Sequence, residues 1–575
     1  MENEILKEYM KSFSIERLKD FLGRDLVDSL LEWDSGKGPA MTKAKLIDMI
    51  LSIHGINILK NKEFRAELLG TMSKDEIFGF RSLLPSNYAN CEDTDILIDA
   101  ISSSQWRKDS KTTERILRLL RYDTELFFLD DQEDIQPIAQ IDSFDKFYEL
   151  LDYQYVIRQK ALTILTLPYR LKRFLIHMPT GTGKTKTATH IICHYFNYCI
   201  KKKGLIIWVA HTSELLEQAY NTFCNVWKNI GNGSISTYKL WGKYNFDIPE
   251  EMSGFLLCSI QKLQAIAVSN KTGFQRLVNN ARLIVYDEAH KAAAAQTREI
   301  IEKFMCRMPD MNDCSLMGLT ATPGRSTLDS FDNDLLASMF GNRIISIDTR
   351  LMNAISMSPQ EAANAKVEPD IIKYFQDRGV LAKIKKEELT YPEQLTEAEI
   401  KKIKVIATNN GYDDFSKKAL EIIGKKKERN LRILQRLREL NYKKIPTIVF
   451  ACSVQHGQLL SSMLSLENIP NALVIGDMPA RDRERAINKF KDEDNETNII
   501  INYEVLTTGF DATNIECVFI TRPTQSVVLY SQMLGRGLRG PQMGGRPECL
   551  LIDIKDNLAK YNENMAFSHF DDYWS

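Results

Sequence analysis

Two series of short apolar runs dominate the sequence after residue 150. The first series contains RFLIHM, GLIIWVAH, GFLLCSIQ, RLIVYDEAH and SLMGLTAT, and the second contains TIVFAC, NALVIG, NIIINYE, CVFITR and CLLIDI. Short runs that are apolar throughout are typical of parallel strands buried on both faces, and the segments between them have helical periodicity. The sequence therefore predicts an α/β fold in which two doubly wound parallel-sheet domains follow one another.

The segments outside these runs set the domain boundaries. Residues 1–140 carry apolar residues at helical spacing without strand signals, which predicts a helical accessory domain before the sheets. We assign the first sheet domain to residues 151–350 and the second to residues 441–575. Residues 351–440 are charged and helical in pattern, and a capping box that begins at Thr396 predicts a helix start. We expect a helical connector there.

The charge balance limits the classes of partner. The chain has 575 residues, with 75 Lys and Arg against 76 Asp and Glu, and a formal net charge of −1. This balance excludes a globally basic nucleic-acid coat but not a locally basic groove. The apolar runs are shorter than the roughly 20 residues that span a bilayer, and the first residues lack the pattern of a signal peptide. We therefore expect a cytoplasmic protein without a membrane partner.

A glycine-rich turn follows the run RFLIHM. Its residues are Thr180, Gly181, Thr182, Gly183, Lys184 and Thr185. The main-chain N–H groups of such a turn bind phosphate oxygens, the lysine reaches the β- and γ-phosphates, and the threonine hydroxyl can hold Mg²⁺. The strict pattern has glycine at position 178, where this sequence has methionine, but the order of strand, turn and helix is kept. The turn predicts an ATP site with Thr185 as a Mg²⁺ ligand.

Two carboxylates follow the apolar run LIVY. Asp287 and Glu288 begin the sequence Asp-Glu-Ala-His, and a carboxylate at the carboxyl end of a parallel strand lies in the crevice where such sheets bind ligands. Asp287 is the second expected Mg²⁺ ligand, and Glu288 is expected to orient or deprotonate the attacking water. Together with Lys184, these residues predict hydrolysis of ATP.

These motifs resemble those of the superfamily 2 helicases and translocases over about residues 151–560. The resemblance implies two tandem RecA-like domains that bind ATP and Mg²⁺ between them and contact a nucleic-acid strand. Gln159 resembles the glutamine that reads the adenine edge, and the nearby Gln154 is a rival for that role. The resemblance also implies nucleic-acid contact by Thr212, Gln261 and Thr507, and coupling of nucleotide state to the strand by His290, Thr320 and Thr322.

The second domain carries further motifs of this family. Gly509 and Asp511, in the sequence Thr-Thr-Gly-Phe-Asp, resemble nucleotide-binding residues. Gln532, Arg536 and Arg539 resemble the arginine-finger motif, and their spacing of i, i+4 and i+7 predicts a helix with all three on one face. Two glycines inside that stretch would each cost the helix about 1 kcal/mol relative to alanine, so we expect a packing or functional reason for them.

The stretch 505–540 resembles the RadD-like and type III restriction-subunit-like DEAH branch of the superfamily. That branch is associated with DNA, so the resemblance favours DNA over RNA as the partner, in DNA repair or antiviral defence. Three functions stay open. The chain is expected to be an unwinding helicase, a duplex DNA translocase or remodeller that does not separate strands, or an RNA helicase or nucleotide-gated scaffold.

Two further patterns have both a functional and a structural interpretation. Residues 13–51 resemble a SAP-like helix pair that binds DNA, but a plain helical domain that docks a protein partner is the favoured interpretation. His190 and His194 are spaced for a metal edge on one helix, without an evident third ligand. The ten cysteines include no C-x-x-C pair. We therefore expect ordinary helix residues at both histidines and no zinc.

Overall fold

The computed structural model consists of a helical domain followed by two sheet domains. It describes residues 3–33, 41–128, 136–144, 148–167, 172–292, 294–305, 314–321, 330–347, 371–391, 396–410, 414–476, 478, 480–492, 494–507, 513–524 and 526–554. None of the helices in these ranges is long and apolar enough to cross a membrane.

The first domain is helical over its described part. Its helices are α1 (Glu4–Met10), α2 (Ile15–Leu22), α3 (Arg24–Trp33), α4 (Lys43–His54), α5 (Lys62–Gly70), α6 (Lys74–Phe78), α7 (Thr94–Ser103), α8 (Lys111–Leu119) and α9 (Thr124–Phe127). Side-chain caps begin several of them, as where Ser14 accepts a hydrogen bond from the main-chain N–H of Arg17. Such caps satisfy N–H groups that the helix itself leaves without a partner.

The first sheet has the strand order β1-β4-β5-β3-β6-β7-β2-β8. The strands are β1 (Ile138–Ile141), β2 (Arg173–His177), β3 (Leu205–Ala210), β4 (Ile235–Leu240), β5 (Gly254–Ser259), β6 (Ala281–Asp287), β7 (Ser315–Thr320) and β8 (Ile344–Ile345). The accompanying helices are α10 (Asp152–Thr166), α11 (Lys184–His194), α12 (Ser213–Ile230), α13 (Ile260–Ser269), α14 (Lys271–Asn280), α15 (Ala295–Met305) and α16 (Ser330–Met339). Every residue of β3, β5 and β7 is buried, as expected for parallel strands covered on both faces.

The strand β1 corrects the predicted boundary at residue 140. It pairs antiparallel with β4 at the edge of the first sheet, whereas the sequence predicts helix up to residue 140 and a purely parallel sheet. Ile141 is its one buried residue, so the strand is too short and too exposed to give an apolar run. An antiparallel edge strand on an otherwise parallel sheet is common in large α/β domains.

The second sheet has the strand order β11-β12-β10-β13-β14-β9, and all of its pairs are parallel. The strands are β9 (Lys383–Leu389), β10 (Thr447–Phe450), β11 (Asn471–Val474), β12 (Ile499–Asn502), β13 (Cys517–Ile520) and β14 (Glu548–Ile554). Its helices are α17 (Ile371–Asp377), α18 (Glu397–Asn410), α19 (Lys417–Gly424), α20 (Lys427–Tyr442), α21 (Val454–Leu466), α22 (Ala480–Lys491) and α23 (Val527–Leu534). The predicted fold class, two tandem parallel-sheet domains, is confirmed.

The strand β9 lies in the segment that the sequence predicts as a helical connector. It pairs with β14 from Lys383 to Leu389, so part of the predicted helical connector belongs to the second sheet. The sequence of β9, KIKKEEL, is mostly charged and gives no apolar run, as is common in a strand at the edge of a sheet. The predicted capping box at Thr396 is confirmed, since Thr396 and Glu399 exchange hydrogen bonds at the start of α18.

The helical domain packs on the second sheet domain. Leu30 of α3 and Ile50 of α4 belong to the same apolar cluster as Leu460 of α21 and Leu473 of β11. The ammonium group of Lys45 also donates a hydrogen bond to the main-chain carbonyl at the end of α21. The accessory domain therefore shares a hydrophobic core with the second sheet domain.

We expect Leu30→Ala to lower the free energy of unfolding by about 2–5 kcal/mol, because the Leu30 side chain is fully buried and its loss leaves a cavity. Leu31→Ala, at the next position of α3, is the matched control because its side chain is 49% exposed. Its effect should stay within about 1 kcal/mol. Urea unfolding followed by circular dichroism measures both, and equal effects would contradict the shared core.

Candidate active site

The phosphate-binding turn joins β2 to α11. Gly181 and Gly183 have φ values of 86° and 79°, a left-handed conformation that favours glycine. Thr182 is buried, and its hydroxyl donates a hydrogen bond to the carbonyl of Pro179 at 2.7 Å. The turn thus ends at the N-terminus of α11, where main-chain N–H groups and the helix dipole favour an anion.

The two carboxylates follow β6 directly. Asp287 is buried, and its pKa is raised to about 7, first by burial and then by the negative charge of Glu288, while the ammonium group of Lys184 opposes the shift. Glu288 has φ 51° and ψ 57°, a left-handed conformation that costs a non-glycine residue about 1–3 kcal/mol. The structure therefore brings Lys184, Asp287 and Glu288 together at the carboxyl edge of the sheet.

His290 lies beside Glu288. Its Nδ1 is 3.4 Å from Glu288 Oε2, and its side chain is buried. Burial lowers the pKa of His290 to about 4, although the charge of Glu288 acts in the opposite direction. The imidazole is therefore neutral at pH 7.

The end of β7 is bonded to the start of the phosphate-binding turn. The carbonyl of Thr320 accepts a hydrogen bond from the main-chain N–H of Met178 at 3.1 Å, and Nε2 of His177 lies 3.1 Å from the carbonyl of Ala321. A movement of this strand end would therefore reach the turn directly. The other predicted coupling residue of this motif, Thr322, lies outside the described residues.

The arginine motif does not form the predicted helix. Helix α23 ends at Leu534, so Gln532 lies in the helix and the two arginines follow it in a turn and a short β-bridge. Gly535 and Gly537 weaken a helix at this point, and at Gly535 a Cβ atom would lie 2.1 Å from Thr180 Cγ2 of the phosphate-binding turn. At Gly537 a Cβ atom would lie 2.3 Å from Cys549 Sγ. The expectation that packing requires both glycines is confirmed.

Arg536 faces Glu288 across the cleft between the sheet domains. Burial lowers the pKa of Arg536 to about 10, and the negative charge of Glu288 opposes that shift. Arg539 forms a β-bridge with Leu381. The pKa of Lys491 is lowered first by burial and then by the positive charge of Arg539. The charge of Arg536 therefore interacts with Glu288 of the first domain.

The segment from α17 to β9 connects the phosphate-binding turn with the arginine segment. A Cβ atom on Gly181 would lie 3.3 Å from Leu381 Cδ2, and the next residue, Ala382, donates its main-chain N–H to the carbonyl of Leu538 at 2.9 Å. Phe375 of α17 packs edge-on against Tyr153, with 4.8 Å between ring centroids. No motif predicts this segment, which joins both halves of the cleft.

Of the two candidate glutamines, Gln154 contacts the phosphate-binding turn. Its Nε2 donates to the carbonyl of Thr182 at 3.0 Å, and the hydroxyl of Tyr153 donates to the same carbonyl at 2.8 Å. Gln159 is exposed on α10. The contact of Tyr153 with the turn is not predicted from the sequence. The pair Tyr-Gln at the start of a helix is the signal that could have indicated it.

The candidate nucleic-acid residues lie beyond the carboxyl ends of the strands. Thr212 follows β3 and caps α12, where its side chain accepts a hydrogen bond from the N–H of Leu215. Gln261 follows β5, is exposed, and donates its Nε2 to the carbonyl of His211 at 3.2 Å. The backbone of Thr507 lies in a short turn after β12, and Gly509 and Asp511 lie outside the described residues.

The oxygen ligands of the candidate site suit Mg²⁺. A threonine hydroxyl and a carboxylate are hard ligands, and Mg²⁺ is typically held by one or two of these together with phosphates and waters. The raised pKa of Asp287 fits a nearby cation, which would stabilise the ionised carboxylate. Within the described ranges, no group of three or more His, Cys, Asp or Glu could hold a metal ion.

The two histidines of α11 make contacts with other side chains. His190 stacks on Tyr148, and His194 contacts Arg158.

Two family models match the chain. Residues 140–325 match the type III restriction enzyme res subunit, and residues 426–540 match the helicase conserved C-terminal domain. The IRC3 protein of Saccharomyces cerevisiae, which is named as an ATP-dependent helicase, is 27% identical over 392 residues, covering 67% of this chain and 48% of its own length. The chain therefore spans about half the length of this relative.

Two further similarities cover different lengths. The ATP-dependent DNA helicase MPH1 of Saccharomyces cerevisiae is 27% identical over 190 residues, which is 31% of this chain and 16% of that protein. A fragment structure named as an HsdR subunit of a type I restriction enzyme from Vibrio vulnificus has a TM-score of 0.46 and 17% identity, and the match covers 81% of this chain and 72% of that one.

Leu381→Ala tests the connecting segment. We expect kcat for ATP hydrolysis to fall about tenfold, which is about 1.4 kcal/mol of barrier, because the side chain that separates the phosphate-binding turn from the arginine segment is lost. The KM for ATP should change less than about twofold, since the turn itself is intact. Steady-state ATPase assays measure both constants.

Leu389→Ala is the matched control, because Leu389 is a buried leucine at the far end of β9. It should lower stability by about 2–5 kcal/mol and leave kcat unchanged. An unchanged kcat in the Leu381 variant, or equal kcat losses in both variants, would contradict the positioning role.

Proposed function

We propose that the chain is an ATP-driven motor on DNA of superfamily 2, in the branch related to the type III restriction subunits. One observation carries the proposal. Lys184, Asp287 and Glu288 of the first sheet domain share a buried cleft with Arg536 of the second. Such a divided site couples hydrolysis to domain movement, because it is complete only when the domains are closed.

The side chains of the cleft have distinct roles in the proposed hydrolysis. Lys184 and the N–H groups of the turn hold the β- and γ-phosphates, and Glu288 orients the attacking water and accepts its proton. Arg536 stabilises the charge that develops on the γ-phosphate. Thr185 and Asp287 would hold Mg²⁺, which neutralises phosphate charge when bound. Neutral His290 beside Glu288 leaves the carboxylate free to accept the proton.

A continuous set of contacts supports coupling between the nucleic-acid side and the hydrolytic side. Gln261 donates to the carbonyl of His211, and Nε2 of His211 lies 2.7 Å from the hydroxyl of Tyr286, which directly precedes Asp287. A shift of Gln261 on contact with a phosphate would therefore be passed to the carboxylate pair. Gln154 is a better candidate than Gln159 for contact with the adenine base, because its side chain already contacts the phosphate-binding turn.

The preference for DNA rests on similarity. MPH1 is named as a DNA helicase, and the first family model is that of a restriction subunit. The match to the family model of the restriction subunit also favours a second candidate function, which is translocation along duplex DNA without strand separation. Displacement of a third strand from a triplex, with no unwinding of a forked duplex, would identify the translocase.

We expect DNA to raise the ATPase rate more than RNA does, because the proposed track is DNA. The measurement compares single-stranded, duplex and forked DNA with RNA at one stated salt concentration, since such affinities depend steeply on salt. Stimulation by RNA alone, or by no nucleic acid, would overturn the proposed function.

Two variants serve as controls for the site. Lys184→Ala should abolish ATP turnover, because the β- and γ-phosphates lose their cation. Glu288→Gln should bind ATP but release phosphate at least about 10² times more slowly, because the general base is lost. A fluorescent-nucleotide titration and a phosphate-release assay separate these effects, and full turnover in either variant would contradict the assignment.

A further inference from the structure

A small helical hairpin lies between the two parts of the second sheet domain. It comprises α18, α19 and the residues that flank them within 396–427, and we call it the basic hairpin. Its own apolar cluster contains Ile400, Ile403, Phe415, Ala419, Leu420 and Ile423. Lys426 and Glu399, whose side chains are 2.8 Å apart, tie the far end of α19 to the start of α18. The hairpin therefore has a defined shape.

The basic hairpin is attached at the carboxyl edge of the second sheet. Cys452, two residues after β10, belongs to its apolar cluster. Asp414 accepts hydrogen bonds from Arg522 Nη2 at 3.3 Å and from Thr524 Oγ1 at 2.9 Å, directly after β13. Ligands of doubly wound sheets bind at this edge. The neighbour of β10 on its other side is β12, which leads into the turn that contains Thr507.

The surface of the basic hairpin is rich in cations. Residues 396–427 contain eight lysines and five acidic residues. Lys401, Lys402, Lys417, Lys418 and Lys425 are exposed. Two of the acidic residues are paired with cations: Glu399 pairs with Lys426, and Asp414 pairs with Arg522. Of the carboxylates with described side chains in this stretch, Glu397 is exposed and Glu421 is half-buried.

The helical accessory domain has the opposite character. Residues 1–128 contain 19 Lys and Arg against 22 Asp and Glu, a net charge of −3. In the helix pair that resembles a SAP-like motif, Arg17 pairs with Glu67 and Arg24 with Asp20. A phosphate backbone would be attracted to the basic hairpin more than to this domain.

We propose that the basic hairpin binds the sugar-phosphate backbone of the nucleic acid on which the motor moves. The inference rests on the proposed function. Exposed lysines fit phosphates as point charges. In the described part of the basic hairpin the aromatic side chain is Phe415, which is buried, so base stacking contributes nothing there. Because phosphate contacts carry no direct sequence information, binding by these lysines is independent of base sequence, as a motor requires.

The test replaces Lys401, Lys402, Lys417 and Lys418 by glutamine in the full chain. Affinity for a fluorescent duplex and a fluorescent single strand is measured from about 50 to 300 mM NaCl. Each phosphate contact contributes about 0.9 to the slope of log K against log[salt] on duplex and about 0.7 on a single strand. We expect the slope to fall by about 2 or more on the form that the hairpin contacts, and the affinity at low salt to fall at least about tenfold.

The control variant replaces Lys443 and Lys444 by glutamine. These adjacent, exposed lysines precede β10, at the opposite edge of the same sheet, and are compared with the pair Lys417 and Lys418 alone. We expect the control to keep the slope of the unchanged chain and the Lys417 and Lys418 pair to lower it. This smaller variant also carries the test if thermal unfolding reveals that the fourfold variant is not folded.

The outcomes separate the inference from the proposed function. A lower slope on duplex alone, or on the single strand alone, supports the inference and identifies the form of nucleic acid at the hairpin. An unchanged slope in the hairpin variants, or an equal fall in the control, overturns the inference and leaves the proposed function standing. If the unchanged chain binds neither DNA nor RNA, the proposed function itself fails.

Discussion

Four ionisable groups meet in one cleft, where Asp287 is buried and Lys184, Glu288 and Arg536 are partly buried. Asp287 is held so far from water that its pKa rises to about 7, and the pKa of Arg536 falls to about 10 for the same reason. Buried charges are costly unless each has a partner, so Lys184, Glu288 and Arg536 must be held in register across two domains. A bound nucleotide with its cation would contact charged groups of both domains, so we expect ATP binding and closure of the cleft to favour each other.

The scaffold holds this register through close backbone contacts. Gly535 allows the arginine segment to lie directly on Thr180, and the segment that contains Leu381 fills the space between Gly181 and the residues before Arg539. When the cleft is closed, these two contacts therefore hold the second domain directly against the phosphate-binding turn. The accessory domain lies on the other face of the second sheet, so it stabilises that domain without entering the cleft.

Much of this arrangement could be predicted from sequence, because local chemistry determines it. The glycine-rich turn and the Asp-Glu pair follow apolar strands, and both strands are buried as expected. Contacts between segments that are distant in sequence cannot be predicted from local sequence patterns. The helix predicted to carry Arg536 ends at Leu534, and the glycine that follows it is required by a contact with Thr180 of the other domain. The edge strand β9 escapes for a related reason, since its charged sequence pairs with β14 only in the folded sheet. Gln154 and Gln159 look alike in sequence, and only the path of the chain distinguishes them.

We propose that Arg536 of the second domain completes an ATP site built on the first. Single-turnover hydrolysis of ATP by Arg536→Ala, with saturating DNA and a parallel nucleotide-binding titration, tests it most directly. Nucleotide affinity should stay within about threefold, while the hydrolysis rate should fall by about 10³ or more, as for the loss of an arginine finger. Hydrolysis within about tenfold of the unchanged chain would contradict the claim, because the first domain alone would then suffice for catalysis.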